Sequence, residues 1–441
     1  MAQQPPPDFR IRRLGEARVE SPLAVPHAST FVGDEERVFA DPRLTPVREA
    51  LARGSEPPTF EIAGPRARLF FAPGSVRAAV ATCGGISPGL NDVVRALVVE
   101  LRQRYRVAEV LGVRFGYRGL AAPGDLVTLA VADVALIHQR GGTLLGTCRG
   151  TPPVAEIVDT LERHSIDLFF PVGGDGTLRG ALEISEEIER RGLPIAVVGL
   201  PKTIDNDIPW VRRSFGFQTA VRLAAEAVRG AQVEASAVRD GVGLVRLMGR
   251  LTGYLAASAT LATGLVDFCL IPECPFGLDG PTGLLALLER RLDEQGHVLV
   301  VVAEGAGQEF FAGEPLGTDA SGNRKLGDVG VLLRSRIEAH FASRGRAVAM
   351  KYFDPSYLVR SAPADTTDAL HAARLAQNAV HAAMSGRTAL LIGYWHGLMT
   401  HVPLAALRGA SRQVNPRGEL WWNVLESTGQ PARIGDPGAP G

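Results

Sequence analysis

The sequence predicts an α/β protein built as two three-layer α/β domains with mostly parallel sheets. Three observations predict it. Apolar runs of strand length recur along the chain, stretches with helical periodicity separate them, and glycine or charge sits just past many of the runs. In open α/β sheets, ligands bind outside the carboxyl ends of the strands. The loops after these runs therefore predict one or two facing clefts.

The elements follow in order. Residues 78–83 read as a strand that ends at Gly84-Gly85. Leu90, Val93, Val94, Leu97, Val98 and Leu101 then recur at helical spacing, with Arg95, Glu100 and Arg102 off the stripe. Free N–H groups at the start of that helix can hold phosphate. Residues 166–172 lead into Gly173-Gly174-Asp175-Gly176-Thr177, and residues 194–200 into Pro201-Lys202-Thr203-Ile204-Asp205-Asn206-Asp207. Residues 242–247 lead into Met248-Gly249-Arg250, residues 268–271 end at Pro272-Glu273, and His297–Ala303 ends at Glu304-Gly305-Ala306-Gly307. An alanine-rich helix over 367–385 carries His371 and His381 as solvated or core residues and stops at Gly386. Residues 1–63, with QQPPP near the start, read as an N-terminal extension, partly disordered. Residues 431–441 read as a flexible tail.

Composition bounds the function. A chain of 441 residues holds two large domains, and 47 basic against 47 acidic side chains leave no net charge. That balance gives no electrostatic case for nucleic acid or an anionic membrane, so any anion site must be local. Cys83, Cys148, Cys269 and Cys274 show neither zinc nor CxxC spacing and suggest a reducing compartment. The apolar stretch 251–266 is broken by glycine and threonine and is too short to span a bilayer. A soluble, cytoplasmic protein is expected.

The 201–207 segment carries the sharpest chemistry. If the chain stays extended there, Thr203, Asp205 and Asp207 share a face, with Lys202 beside them. Two carboxylates, a hydroxyl and an ammonium suit proton abstraction next to an anion; the alternative is a solvated acidic turn. In 173–177 the glycines permit close backbone approach to a phosphate, and Thr177 can cap the helix or bind phosphate. Asp175, an acid among phosphates, makes sense if it serves Mg²⁺ directly or through water. A plain strand–turn–helix is the alternative. No GxxxxGK[ST], no GxGxxG after a strand and no HExxH are present. Arg149, in the glycine-rich stretch 141–150, is either a surface arginine or a guanidinium spreading charge beside a phosphate loop. The stretch 351–360 offers Lys351, Tyr357 and Arg360, read either as strand and turn or, with Arg250, as a sugar-phosphate clamp.

Nine motifs occur in one order: ATCGGISPGLNDVVRAL, GTCRG, GGDGT, PKTIDNDI, SFGFQTAV, LMGR, IPE, AEGAGQ and DPSYLVR. In this set the chain resembles the 6-phosphofructokinases, above all their plant-like and trypanosome-like ATP-dependent branch, from about Gly64 to Pro431. The resemblance implies a phosphofructokinase-like fold with the active site in the cleft between its domains. The nucleotide-binding domain would span 64–210, completed by 362–430, and the sugar-phosphate domain 211–361. It implies Mg²⁺-dependent transfer of the ATP γ-phosphoryl group to the 1-hydroxyl of fructose 6-phosphate, a glycolytic step. ATP would be held by Gly85, Arg149, Gly150, Gly174, Asp175, Gly176 and Thr177, with Asp175 serving the metal. Asp205 would accept the hydroxyl proton, Thr203 and Ile204 would touch the reacting end, and Asp207 would support it. Lys202, Arg149 and Mg²⁺ would supply charge, and Arg250 would be catalytic as well as substrate-binding. Met248, Gly249, Arg250, Glu273, Tyr357 and Arg360 would hold the sugar phosphate, with Lys351 nearby. A homo-oligomer, tetramer or dimer, and allosteric control are also implied.

Two departures matter. Bacterial ATP enzymes of the family usually carry glycine where Lys202 stands; pyrophosphate-using relatives carry lysine there and aspartate in place of Gly176. Gly176 leaves room for a nucleotide α-phosphate, which makes ATP the expected donor and pyrophosphate the alternative. Short bacterial relatives also carry an arginine at the position of Gly241, and Arg239 and Arg246 lie near without an assignable role. An NAD or lipid kinase built on GGDGT, or a non-catalytic regulatory subunit, ranks lower.

Overall fold

Strand after strand of this chain is apolar on both sides, which calls for a sheet covered on both faces. The structure, a computed structural model, describes residues 8–23, 31–121, 123–318 and 325–436. They form two compact units: Met1–Thr203 with Ile208–Gly216 and Ala362–Ser411, and Ile204–Asp207 with Phe217–Ser361 and Arg412–Gly441.

The first unit holds a nine-stranded sheet. Its strands run in the spatial order Arg37–Phe39, Thr59–Ile62, Leu398–Pro403, Leu390–Trp395, Ala196–Pro201, Leu168–Gly173, Arg77–Thr82, Glu109–Val113 and Leu126–Thr128. The five strands from Leu390–Trp395 to Glu109–Val113 are parallel. The flanks are antiparallel, so "mostly parallel" describes the centre of this sheet and not its edges. Period-2 alternation divides each central strand between two cores. Ala78, Val80, Phe170 and Val198 pack against the helices Leu90–Val99 and Thr366–Met384, whereas Ala79, Ala81, Phe169 and Val197 pack against Val154–Arg163 and Asp175–Arg190. This gives three layers.

The second unit repeats the arrangement on a four-stranded, all-parallel sheet in the order Phe268–Leu270, His297–Ala303, Gly241–Leu247, Ala349–Phe353. Val245, Leu247, Val301 and Ala303 face the helices Phe217–Ser236 and Tyr254–Thr263. Val242, Leu244, Val298 and Val300 face Leu284–Gln295 and Val329–Ser343.

The boundaries differ from expectation in three places. Residues 1–63 were expected to be an extension, yet their described part is built into the first unit. Arg12–Arg13 pairs with Arg387–Thr388, and Arg37–Phe39 and Thr59–Ile62 extend the large sheet. These strands are two to four residues long and bury only Phe60 and the charged Glu61, so no apolar period announces them. Glu61 and Arg66 are buried, 3.1 Å apart, and Arg387 reaches both Glu61 and Asp34. Residues 412–430, expected to complete the nucleotide domain, belong to the second unit, where Trp421 and Val424 of the helix Glu419–Thr428 enter the core. The tail is docked as far as it is described: Ile434 is buried and its carbonyl accepts from the Gly277 amide at 2.8 Å. Residues 1–7, 24–30 and 437–441 lie outside the described residues.

The buried charges set an acid limit on stability. Burial holds His371 and His401 down to about 4, below their ordinary 6.5. Burial raises the Glu61 carboxyl, but His401 and Arg387 more than offset it and bring it down to about 2. Well above pH 6.5 both histidines are neutral, folded or unfolded, and stability is complete. As pH falls from 6.5 towards 4, the unfolded chain binds protons that the folded chain refuses, so stability drops by up to roughly 1.4 kcal/mol per pH unit per histidine. The Glu61 contribution is lost lower, between about pH 4.5 and 2. Urea midpoints at pH 7.5, 5.5 and 4.5 are expected to fall progressively; equal midpoints would refute this account.

Candidate active site

The carboxyl ends of the three central strands of the first unit lie in one row, since Thr82 pairs with Val172, Leu200 with Val172 and Pro201 with Gly173. The loops that leave this row carry most of the expected nucleotide residues. Backbone and side chains lace them together. The Cys83 amide donates to Val172 O at 2.9 Å, and the Lys202 amide to Gly173 O at 2.9 Å. The Gly84 amide donates to Cys148 O at 2.9 Å, and the Thr147 hydroxyl to Gly84 O at 2.6 Å. The stretch 141–150 is thereby drawn onto the strand ends. Two residues missed from sequence complete this. Asn91 donates to Arg140 O at 3.0 Å and accepts from the Leu144 amide at 2.8 Å, and the Thr82 hydroxyl donates to Gly146 O at 2.7 Å. Neither stands out in the sequence, because a polar side chain that fastens a remote loop leaves no local pattern. Arg149 and Gly150 are exposed at the end of this loop, and Gly150 has φ +86°.

In the 173–177 turn each residue has a distinct reason. A Cβ on Gly173 would lie 2.2 Å from Thr177 Oγ1, so only glycine lets the helix start so close to the strand. Gly174 is the N-cap residue of the helix Asp175–Arg190, and no side chain among the described residues caps it. Its first N–H groups are therefore available to an anion, reinforced by the helix dipole. A Cβ on Gly176 would meet nothing within 4 Å. Thr177 is buried, and Tyr117 fixes its carbonyl with a 2.7 Å hydrogen bond. Asp175 is half-exposed and pairs with Arg179 at 2.9 Å. Among the described residues no group of three or more His, Cys, Asp or Glu could hold a metal. A single carboxylate such as Asp175 could hold Mg²⁺ only together with substrate phosphates and water.

Lys202 is buried, at 6% exposure, and its Nζ donates to Gly85 O at 2.6 Å. It lies toward Gly84, whose Cβ would stand 3.5 Å from Nζ, whereas the space at Gly176 stays open. The two residues whose family signs conflict therefore occupy different places in this unit.

The extended premise for 203–207 fails. The backbone bends at Ile204 and Asp205, and Asn206 adopts φ +54°, so strict alternation does not set where Thr203, Asp205 and Asp207 point. The cause is packing. Ile204 is buried in the second unit's core with Leu247 and Ala303, which leaves only its backbone for a ligand. Thr203 stays with the first unit, where its carbonyl accepts from the Ser214 hydroxyl at 2.8 Å, and 204–207 group with the second. Asp205 and Asp207 are half-buried.

In the second unit, the parallel sheet brings the ends of three neighbouring strands together. Gly249 has φ +136°, and a Cβ on Gly305 would lie 2.0 Å from Arg250 O, so the 248–250 and 304–307 loops nest only as glycine-bearing loops. The amide of Gly305 donates to Gly249 O at 3.1 Å. Glu273 accepts the Gly253 amide on both oxygens at 3.0 Å and the Val414 amide at 2.8 Å. It thus holds the start of the helix Tyr254–Thr263, a structural duty that sequence reading did not assign. Tyr357 and Arg360 lie on the short helix Ser356–Ser361, with the guanidinium 4.7 Å from the exposed ring. Lys351 is not brought to this group. It sits within the strand Ala349–Phe353, paired with Gly243 near the other end of Gly241–Leu247, and bonds Glu234 at 3.3 Å. Gly241 also explains the missing arginine: a Cβ there would lie 1.9 Å from Ala235 O.

Two α/β units with glycine-rich strand ends, an uncapped helix start and an acid beside it define an α/β scaffold that can seat phosphate at its strand ends. The phosphofructokinase family profile matches residues 77–383. Over 97% of the chain and 96% of the relative it is 47% identical to an ATP-dependent 6-phosphofructokinase of Amycolatopsis methanolica. A Trypanosoma cruzi protein of the same name is 42% identical over 96% of the chain and 87% of its own length. Among solved structures, the pyrophosphate-dependent phosphofructokinase of Marinobacter aquaeolei shares the fold with TM-score 0.66 at 23% identity, over 83% of this chain and 93% of that one. The chain belongs to the phosphofructokinase family.

Proposed function

We infer that this chain is an ATP-dependent 6-phosphofructokinase, which transfers the γ-phosphoryl group of ATP to the 1-hydroxyl of fructose 6-phosphate. The open space at Gly176, beside an uncapped helix start, carries the choice of donor. Its relatives named ATP-dependent 6-phosphofructokinase, similar over nearly the whole chain, support the same reading. In the reaction, a bond forms between the sugar O1 and the γ-phosphorus as the γ-phosphorus–bridging oxygen bond breaks, and ADP leaves. Asp205 takes the proton released from O1. Lys202 and Arg149 offset charge on the transferred group, and the amides from Gly174 to Thr177 hold the nucleotide phosphates. Arg250, Tyr357 and Arg360 bind the 6-phosphate. Asp175 would hold Mg²⁺, which when bound neutralises phosphate charge. Among the described residues no helix is long and apolar enough to cross a membrane, and we place the enzyme in the cytoplasm as a homo-oligomer.

Pyrophosphate remains the second reading because Lys202 is present. Initial rates with fructose 6-phosphate, Mg²⁺ and either ATP or pyrophosphate decide between them. Turnover with ATP and background rates with pyrophosphate are expected; turnover with pyrophosphate alone would overturn the assignment.

A further inference from the structure

Arg246 lies near the carboxyl end of the strand Gly241–Leu247, four residues before Arg250, and its side chain is 16% exposed. It reaches three separate segments at once. One terminal nitrogen donates to Glu304 at 3.1 Å, just past His297–Ala303. The other donates to Asp354 at 2.8 Å, just past Ala349–Phe353, and its Nε lies 3.7 Å from Asp328. Each of the first two acids passes the connection on. The Glu304 amide donates to Leu247 O at 2.8 Å and the adjoining Gly305 amide to Gly249 O at 3.1 Å, which ties this acid to the backbone of the Met248–Arg250 loop, and it feels the charge of Arg250. Asp354 accepts the Ser356 amide at 3.1 Å and also the Ser356 hydroxyl, at the start of the helix that carries Tyr357 and Arg360.

We propose that Arg246 is a positioning residue, which locks the Met248–Arg250 loop and the Tyr357–Arg360 helix into one arrangement that fits a sugar phosphate. Only a planar guanidinium has the forked geometry to bridge two carboxylates on adjacent strands in this way. Burial alone would lower its affinity for the proton, but Glu304, Asp354 and Asp328 more than compensate, so the bridge stays charged. Arg246 is placed too deep in this network to be a ligand itself. It acts through the backbone of Gly249 and Ser356, and therefore sets binding of the sugar phosphate and not of ATP. The proposal rests on the reading of this site given above.

The test is steady-state kinetics of Arg246→Met, Arg246→Lys, Asp354→Asn and the double variant Arg246→Met/Asp354→Asn, with thermal melting of each. A displacement of about 1 Å in positioned groups costs roughly a hundredfold. Arg246→Met is accordingly expected to raise KM for fructose 6-phosphate by roughly 10- to 100-fold, with KM for ATP within about threefold of wild type. Arg246→Lys should lie between, since a point charge cannot bridge both acids. The double variant should be no worse than Arg246→Met, because both changes break one unit. If Arg246→Met does not fold, Arg246→Lys and Asp354→Asn carry the same KM comparison. An unchanged KM for fructose 6-phosphate, a parallel rise in both KM values, or additive effects would overturn the proposal while wild-type activity stands. A wild-type enzyme inactive on fructose 6-phosphate would overturn the functional reading itself, and this inference with it.

Discussion

Replacing Asp205 by alanine is expected to lower kcat by roughly 10²- to 10⁴-fold, the usual contribution of a positioned general base. The residues proposed to bind ATP belong to the first unit and Asp205 to the second, so the ATP dissociation constant should change little. Measured kcat and direct ATP titration of the same preparation separate the two effects. The neighbours make a clean comparison feasible: Ile204 and Asn206 are buried on either side and hold the segment whether or not the carboxylate is present. A near-normal kcat would remove Asp205 as the base. A parallel loss of ATP binding would mean the substitution had disturbed more than proton transfer.

Gly176→Asp is expected to leave the fold intact and abolish efficient use of ATP. A Cβ at this position meets nothing within 4 Å, and Gly176 is not among the positive-φ glycines. An acid in the first turn of Asp175–Arg190 also suits the helix dipole, by about 0.3–1 kcal/mol. Thermal stability should therefore be equal or slightly higher. The new carboxylate would stand where the α-phosphate must pass. Two like charges about 4 Å apart repel by roughly 4 kcal/mol near a protein surface, which is about three decades in kcat/KM for ATP. Pyrophosphate has no α-phosphate to be repelled, so assays with both donors show whether the penalty is specific. A kcat/KM for ATP within threefold of wild type, in a folded variant, would remove Gly176 as the determinant of donor choice.

Much of the architecture was legible because it is periodic. The central strands are buried on both faces, so they appear as short apolar runs whatever their neighbours, and the observed ends fall within about two residues of those read from sequence: Leu168–Gly173 against 166–172, Thr366–Met384 against 367–385, and His297–Ala303 without difference. The 173–177 turn was legible for a steric reason, since glycine is the only residue that fits where strand and helix nearly touch. The antiparallel flank was not legible. Its short strand Thr59–Ile62 buries Glu61 beside Phe60, and Glu61 pairs with Arg66 of the following loop and with Arg387; a charged residue gives the same sequence signal whether it is solvated or paired in the interior.

What the sequence determined by itself is therefore the alternating α/β order, the identity of the chemical groups at the strand ends and, through nine ordered motifs, the family. Tertiary structure alone decided which of those groups act together. It bent 203–207 by burying Ile204, moved Lys351 away from Arg250 by strand register, turned Glu273 to the amides of Gly253 and Val414, and gave Arg246 its place between Glu304 and Asp354. The physical reason is that a motif specifies residue types along the chain, whereas contacts between segments some 60 to 110 residues apart depend on register and on which carboxylate a buried guanidinium can reach.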